Sequence, residues 1–233
     1  MIRLNLKNMK LREDHYIDIH THNPSESKNV ITVQNKFVEN IIMDNEPMNT
    51  LFSFGLHPWH IGNKSELAIM TLKEVVKLDE VIAVGEIGLD KNIDFPLEKQ
   101  IEFFDQQILI AKSVNKPVIV HCVKSYSDII KIKKELAEEM PWIIHGFNSS
   151  KETAEQLIKH NCYLSFGHLL LTENSTSSKV LSEIDINRIF FETDESEYSI
   201  IDIYKKASQL LSVSEEKLRN VIITNFERCF GIG

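Results

Sequence analysis

Eight short apolar runs recur along the chain, and longer helical patterns separate most of them. The runs cover residues 15–20, 29–33, 51–55, 81–86, 117–121, 142–145, 162–165 and 188–192. They are rich in Ile, Val, Phe and Tyr and do not alternate cleanly with polar residues. That pattern suits parallel strands covered on both faces. Helical periodicity appears at 65–77, 96–115, 126–137, 151–159 and 200–211, and from Ser214 to about Arg228. Leu97, Ile101, Phe104, Ile108 and Ala111 line one stripe of the second of these, with Pro96 suited to its first position. Ser214 followed by Glu215 and Glu216 reads as a capped start. The alternation predicts a (β/α)8 TIM barrel; a doubly wound open sheet is the other arrangement it permits. Only about eight residues follow His20 before the second strand, too few for a crossover helix. Residues 34–50 are longer but poorly periodic, so helix-poor connections are expected early in the barrel. SerThrSerSer at 175–178 reads as a loop.

A chain of 233 residues accommodates one such barrel, expected over 15–233, with 1–14 as an N-terminal segment at its edge. The net charge of −8 argues against holding nucleic acid by bulk charge alone. Residues 1–12 carry Arg3, Lys7, Lys10 and Arg12 and no acid, which reads as a solvated terminus rather than a nucleic-acid arm. Cys122, Cys162 and Cys229 are too scattered for a disulfide framework or a CxxC zinc site and point to a reducing compartment. No signal-peptide core or membrane-length apolar run is present, so the expected location is the cytoplasm. No obligate protein partner can be inferred.

Chemistry collects at the strand ends. His20, with Thr21 and His22, closes the first strand. Glu86 closes the fourth within ValGlyGluIleGlyLeuAsp, His121 the fifth, and His145 the sixth. Asp194 follows the eighth within PheGluThrAsp. The C-terminal strand ends are where barrel enzymes build their sites. His20 and His22 are two apart on extended chain and point to one side. Imidazole and carboxylate donors suit zinc or manganese, and the carboxylates also admit magnesium. Six donors exceed one tetrahedral catalytic zinc and suit two ions sharing a carboxylate, for which Glu86 is placed.

These motifs, with GlyLeuHisPro at 55–58, HisGlyPhe at 145–147 and AsnPheGluArgCysPhe at 225–230, resemble the TatD-like metal-dependent hydrolases. That family consists of amidohydrolase-type barrels known mainly as deoxyribonucleases. The resemblance implies two divalent metal ions, with His20, His22 and Asp194 on one and His121 and His145 on the other. It implies Glu86 as the bridge and Asp194 as the residue that orients or deprotonates water. It also implies phosphodiester hydrolysis of a nucleic-acid or similar substrate. The chain departs from the family at Val123, where an Arg is common, and Val offers phosphate no bidentate fork. Lys124 is adjacent. Hydrolysis of an amide, ester, lactone or aminoacyl ester on the same metals is the alternative, and a non-catalytic metal-binding protein is a third.

His57, Trp59 and Lys124 are candidate substrate contacts. His57 serves equally as a structural neighbour of the site, and Trp59 either stacks on a base or, as favoured, packs on the rim. Cys122 should point away from the ligands as an inert thiol. Asp18 and Glu192 are candidates for orienting ligands. His15, His160 and His168 match no motif.

Overall fold

Every apolar run becomes a strand, and the strands hydrogen-bond side by side in chain order, all parallel. The computed structural model describes residues 4–7, 9–137 and 139–232. The strands are β1 Tyr16–Thr21, β2 Val30–Phe37, β3 Thr50–Gly55, β4 Val81–Asp90, β5 Val118–Val123, β6 Trp142–Ile144, β7 Cys162–Phe166 and β8 Ile189–Phe191. The helices are α1 Ser65–Val75, α2 Leu97–Ser113, α3 Tyr126–Leu136, α4 Lys151–Lys159, α5 Thr176–Leu181, α6 Ile200–Leu211 and α7 Glu215–Phe230. This is the (β/α)8 TIM-barrel architecture, and its strands are buried along nearly their whole length. Among the described residues, no helix lies between β1 and β2 or between β2 and β3.

Two local readings are corrected. Residues 175–178 are not a loop: Ser175 accepts a hydrogen bond from the Ser178 amide and caps α5. A polar Ser/Thr run hides a short helix because these side chains favour the cap. Pro96 is the N-cap of α2 rather than its first helical residue. The N-terminal segment is also less solvated than its charge implies. Leu4, Leu6, Met9 and Leu11 pack against the core, while Lys7 pairs with Asp79 at 2.7 Å and Arg12 with Asp14 at 2.8 Å. Arg3 lies outside the described residues. Among those residues no helix is long and apolar enough to cross a membrane.

The ring closes at the candidate site. Asp194 bridges to Thr21 of β1: the Asp194 amide donates to the His20 carbonyl at 3.0 Å, and the His22 amide donates to the Asp194 carbonyl at 3.1 Å. Asp18 fastens the same seam, accepting from the Thr193 amide at 3.0 Å and the Thr193 hydroxyl at 2.6 Å. Lower down, the buried Tyr204 phenol of α6 replaces a strand partner. It accepts from the Ile17 amide at 3.2 Å and donates to the Ile17 carbonyl at 3.1 Å. Asn225 of α7 donates to the Ile186 and Ile189 carbonyls at 3.0 and 2.9 Å and ties down the start of β8. The seam therefore uses side chains where the strand ladder is short, satisfying backbone groups that burial would otherwise strand.

Candidate metal centre

Glu86 lies at the middle of the mouth. Its Oε1 is 2.7 Å from His121 Nδ1, 2.7 Å from His145 Nε2 and 3.3 Å from His57 Nε2. Its Oε2 is 3.5 Å from His20 Nε2. Asp194 Oδ1 is 3.6 Å from His20 Nε2 and 3.7 Å from His22 Nε2. The left-handed backbone at Asp194, φ 53°, turns the chain sharply after β8, a conformation that Asp tolerates better than most residues. β4 and β5 must approach closely for this convergence: a Cβ on Gly88 would lie 2.0 Å from the His121 carbonyl oxygen. The Glu86 amide donates to Asn35 Oδ1 at 2.7 Å, which anchors the acid from β2.

The donor set fits a divalent cation. Ligand atoms of His20, His145 and Asp194, of His20, His22 and Glu86, and of His57, Glu86 and His121 each lie within 4.8 Å of one another. Among the described residues, neither ring nitrogen of buried His20 has a hydrogen-bond partner. An unsatisfied buried polar group costs about 1–3 kcal/mol, and a cation among these groups would satisfy it. The charge balance points the same way. Burial opposes the charge of Glu86, but His145, His121 and His20 hold its carboxyl well below the ordinary range. Burial and His145 push His20 down, and the carboxylates of Asp194 and Glu86 more than offset them, raising it to about 9. His145 is likewise raised against burial by Glu86 and Glu192. Burial lowers His22 and His57. Burial also opposes the charge of Asp194, and His20 overcomes it to keep the carboxyl below its usual value. Protons and a divalent cation thus compete for the same nitrogens.

Two further carboxylates stand behind these imidazoles. Asp90 Oδ2 is 3.2 Å from His121 Nε2, and Glu192 Oε1 is 3.5 Å from His145 Nδ1. Asp90 is held ionised despite burial by the Trp59 indole and the Asn92 amide. Glu192 accepts from the Gly146 amide at 2.6 Å. Each acid favours a proton on the nitrogen it faces, which leaves the lone pairs of His121 Nδ1 and His145 Nε2 available to a cation beside Glu86. An Asp90→Asn or Glu192→Gln variant should weaken divalent-metal affinity about 10- to 100-fold, read by titration against a chelator. Unchanged affinity in both would remove this role.

The other sequence candidates fall into place differently. His57 joins the cluster. Trp59 sits on the rim, 63% exposed, with its ring 4.9 Å from that of His57 and its indole N–H donating to Asp90 Oδ2 at 2.7 Å. Lys124 is exposed and, among the described residues, joins no polar contact of the cluster. Cys122 is removed from nucleophilic use, burial pushing its thiol up to about 12. Asp90 and Asn35 were not anticipated as site residues. Asp90 carried a readable signal, its place four residues after Glu86 on one strand; the part of Asn35 depends on a neighbour distant in sequence.

The pattern of the family described as TatD related DNase matches residues 20–231. The chain belongs to that family. It is similar to the uncharacterized metal-dependent hydrolase YabD of Bacillus subtilis, 32% identical over 196 residues covering 77% of each chain. It also resembles the human 3'-5' RNA nuclease TATDN2, 30% identical over 148 residues, covering 61% of this chain and 19% of that protein. Among solved structures, YJJV, a TatD homolog from Escherichia coli K12, superposes with a TM-score of 0.83 at 21% identity, covering 95% of this chain and all of that one. This TatD-family chain is a metal-dependent hydrolase whose strand ends form a His and carboxylate cluster suited to metal.

Proposed function

We propose that this TatD-family hydrolase cleaves phosphodiester bonds in nucleic acid at a two-metal site. The observation that carries the reading is Glu86, one carboxylate reaching donors from both sides of the mouth. In this reading His20, His22 and Asp194 would hold one ion, His121 and His145 the other, and Glu86 would serve both. Bound divalent ions, whether zinc, magnesium or manganese, would acidify water and neutralise charge on a phosphoryl oxygen. Asp194 orients the attacking water and accepts its proton; its partial exposure leaves room for that water. His57, held beside Glu86, contacts the phosphate, with Lys124 a cation on the rim. The family's DNase description and the human relative's RNA nuclease activity support the substrate class.

Val123 favours one second reading. It lies two residues after His121 on β5, hence on the same side of the strand, and gives phosphate no donor. Hydrolysis of an amide, ester, lactone or aminoacyl ester is that reading. Metal-loaded protein assayed on single-stranded DNA and RNA, a chromogenic phosphodiester and those esters and amides decides between them. Higher turnover on a nucleic acid is expected; higher turnover on a non-phosphate substrate overturns the phosphodiesterase reading.

Trp59 offers a direct probe of binding. The chain has two tryptophans, and the other, Trp142, is fully buried. Stacking of an unpaired base on Trp59 should therefore quench the exposed component of the emission. Trp59→Ala should raise KM for a single-stranded oligonucleotide about 5- to 100-fold, the value of one stacked base. No quenching and an unchanged KM would return Trp59 to a rim role.

A further inference from the structure

The upper ends of β3 and β4 do not share a ladder. Their register pairs Phe52 with Val81, Ser53 with Ala83 and Phe54 with Val84 and stops there among the described residues, while β4 runs on to Asp90. Two side chains of α2 take up the unpaired backbone. Gln107 Oε1 accepts from the Leu56 amide at 2.7 Å, and its Nε2 donates to the Leu56 carbonyl at 3.1 Å. Gln100 holds Asp90 in the same way, accepting from its amide at 2.8 Å and donating to its carbonyl at 3.0 Å. The same Nε2 also donates to the Phe95 carbonyl at 3.0 Å. Each primary amide thus stands in for the C=O and N–H of a strand neighbour. The two glutamines lie two turns apart on one helix, about 10.5 Å along its axis, and both are 1% exposed.

What these amides hold is what the centre uses. Asp90 Oδ2 is 3.2 Å from His121 Nε2 and accepts from the Trp59 indole at 2.7 Å. Leu56 precedes His57, whose Nε2 is 3.3 Å from Glu86 Oε1 and whose ring centroid is 4.4 Å from that of His121. His57, Glu86 and His121 are one of the groups whose ligand atoms converge within 4.8 Å. The other half of the mouth, at His20, His22 and Asp194, is fastened by the β1–β8 seam instead. We propose that Gln100 and Gln107 are positioning residues of the metal centre. Through the Asp90 and Leu56 backbones, α2 sets the placement of His121 and His57 against Glu86. This role rests on the metal-centre reading above and is independent of which bond the centre cleaves. If the glutamines only satisfied buried backbone, their loss would lower stability alone. Positioning makes their effects run through Asp90 and His57.

The test pairs each glutamine with the residue it acts through. Zinc titrated against a chelator should bind Gln100→Met about 10- to 100-fold more weakly than wild type, as it should Asp90→Asn. The double variant should lose little beyond either single one, because both changes remove the same support of His121. Gln107→Met should lower kcat/KM on a chromogenic phosphodiester at saturating metal about 10- to 100-fold and add little to His57→Ala. Phe104→Leu is the comparison for stability. It trims the α2 ring that packs on Trp142, with centroids 5.5 Å apart, and should lower the unfolding temperature while zinc affinity stays at the wild-type value. Gln100→Asn, one methylene too short to hold both backbone groups at once, carries the same comparison if the methionine variant does not fold. Undiminished zinc affinity in the Gln100 variants, losses that add in full in the double variants, or an equal fall in affinity in Phe104→Leu would each overturn the positioning role. The zinc titration needs no substrate. Metal binding that responds as expected in a protein that cleaves no phosphodiester would therefore overturn the nuclease reading and leave the role of Gln100 standing.

Discussion

A Glu86→Gln variant should lose metal-dependent hydrolysis by about 1,000-fold or more, the equivalent of several kcal/mol of transition-state charge stabilisation. The side chain keeps its size and can still accept from an imidazole. What disappears is the single negative charge facing His20, His121 and His145 at 3.5, 2.7 and 2.7 Å. The variant should nevertheless fold. In the metal-free protein the raised His20 and His145 owe their protons partly to Glu86, and without it they can simply release them. Metal content by elemental analysis, thermal unfolding with and without added divalent cation, and turnover then separate the effects. Wild-type protein should gain thermal stability on metal addition, by roughly 3 kcal/mol at a hundredfold excess over Kd, and the variant should gain little. Undiminished turnover in Glu86→Gln would sink the central role of this carboxylate.

The strand order and the strand-end donors were legible because both are local. An apolar run ending in His or Glu says where a side chain stands along the strand, and a parallel barrel brings all such ends to one rim. His20, His22, Glu86, His121, His145 and Asp194 could each be read that way. The pattern is less informative where a side chain substitutes for backbone pairing. Tyr204 looked like one more apolar residue on a helix stripe, yet its hydroxyl completes the hydrogen bonding of Ile17 across 187 positions. Asp90 was visible as an acid but not as the group that fixes His121, because that depends on the register placing Gly88 opposite His121. Trp59 stands on the rim beside His57, but the degree of its exposure was not legible, for a related reason. Exposure of a large apolar ring is disfavoured by default, and only the distant Asp90 carboxylate explains why this one stays at the mouth. The acid excess also reads differently. Glu86, Asp90, Glu192 and Asp194 all converge on the cluster, so part of the −8 balance is local charge suited to cations rather than a general repulsion of phosphate.

Asp194→Asn separates binding from catalysis. Asn adopts the left-handed backbone at this position as readily as Asp, and the amide and carbonyl that close the ring to β1 are untouched. The fold and the seam should therefore survive. The side chain loses its charge and its capacity to accept a proton from water, while one oxygen can still face His20 and His22. As a general base its loss should lower kcat about 100- to 10,000-fold. As a ligand alone, its loss would weaken metal affinity and leave kcat recoverable at high metal concentration. The two roles thus differ in a titration: kcat measured at saturating metal should stay low in the variant if Asp194 handles the proton. Full recovery of kcat at saturating metal would assign Asp194 to ion binding only and move the base to another group. His57 is then the next residue to test, because burial keeps its imidazole neutral at physiological pH and its Nε2 already faces the centre.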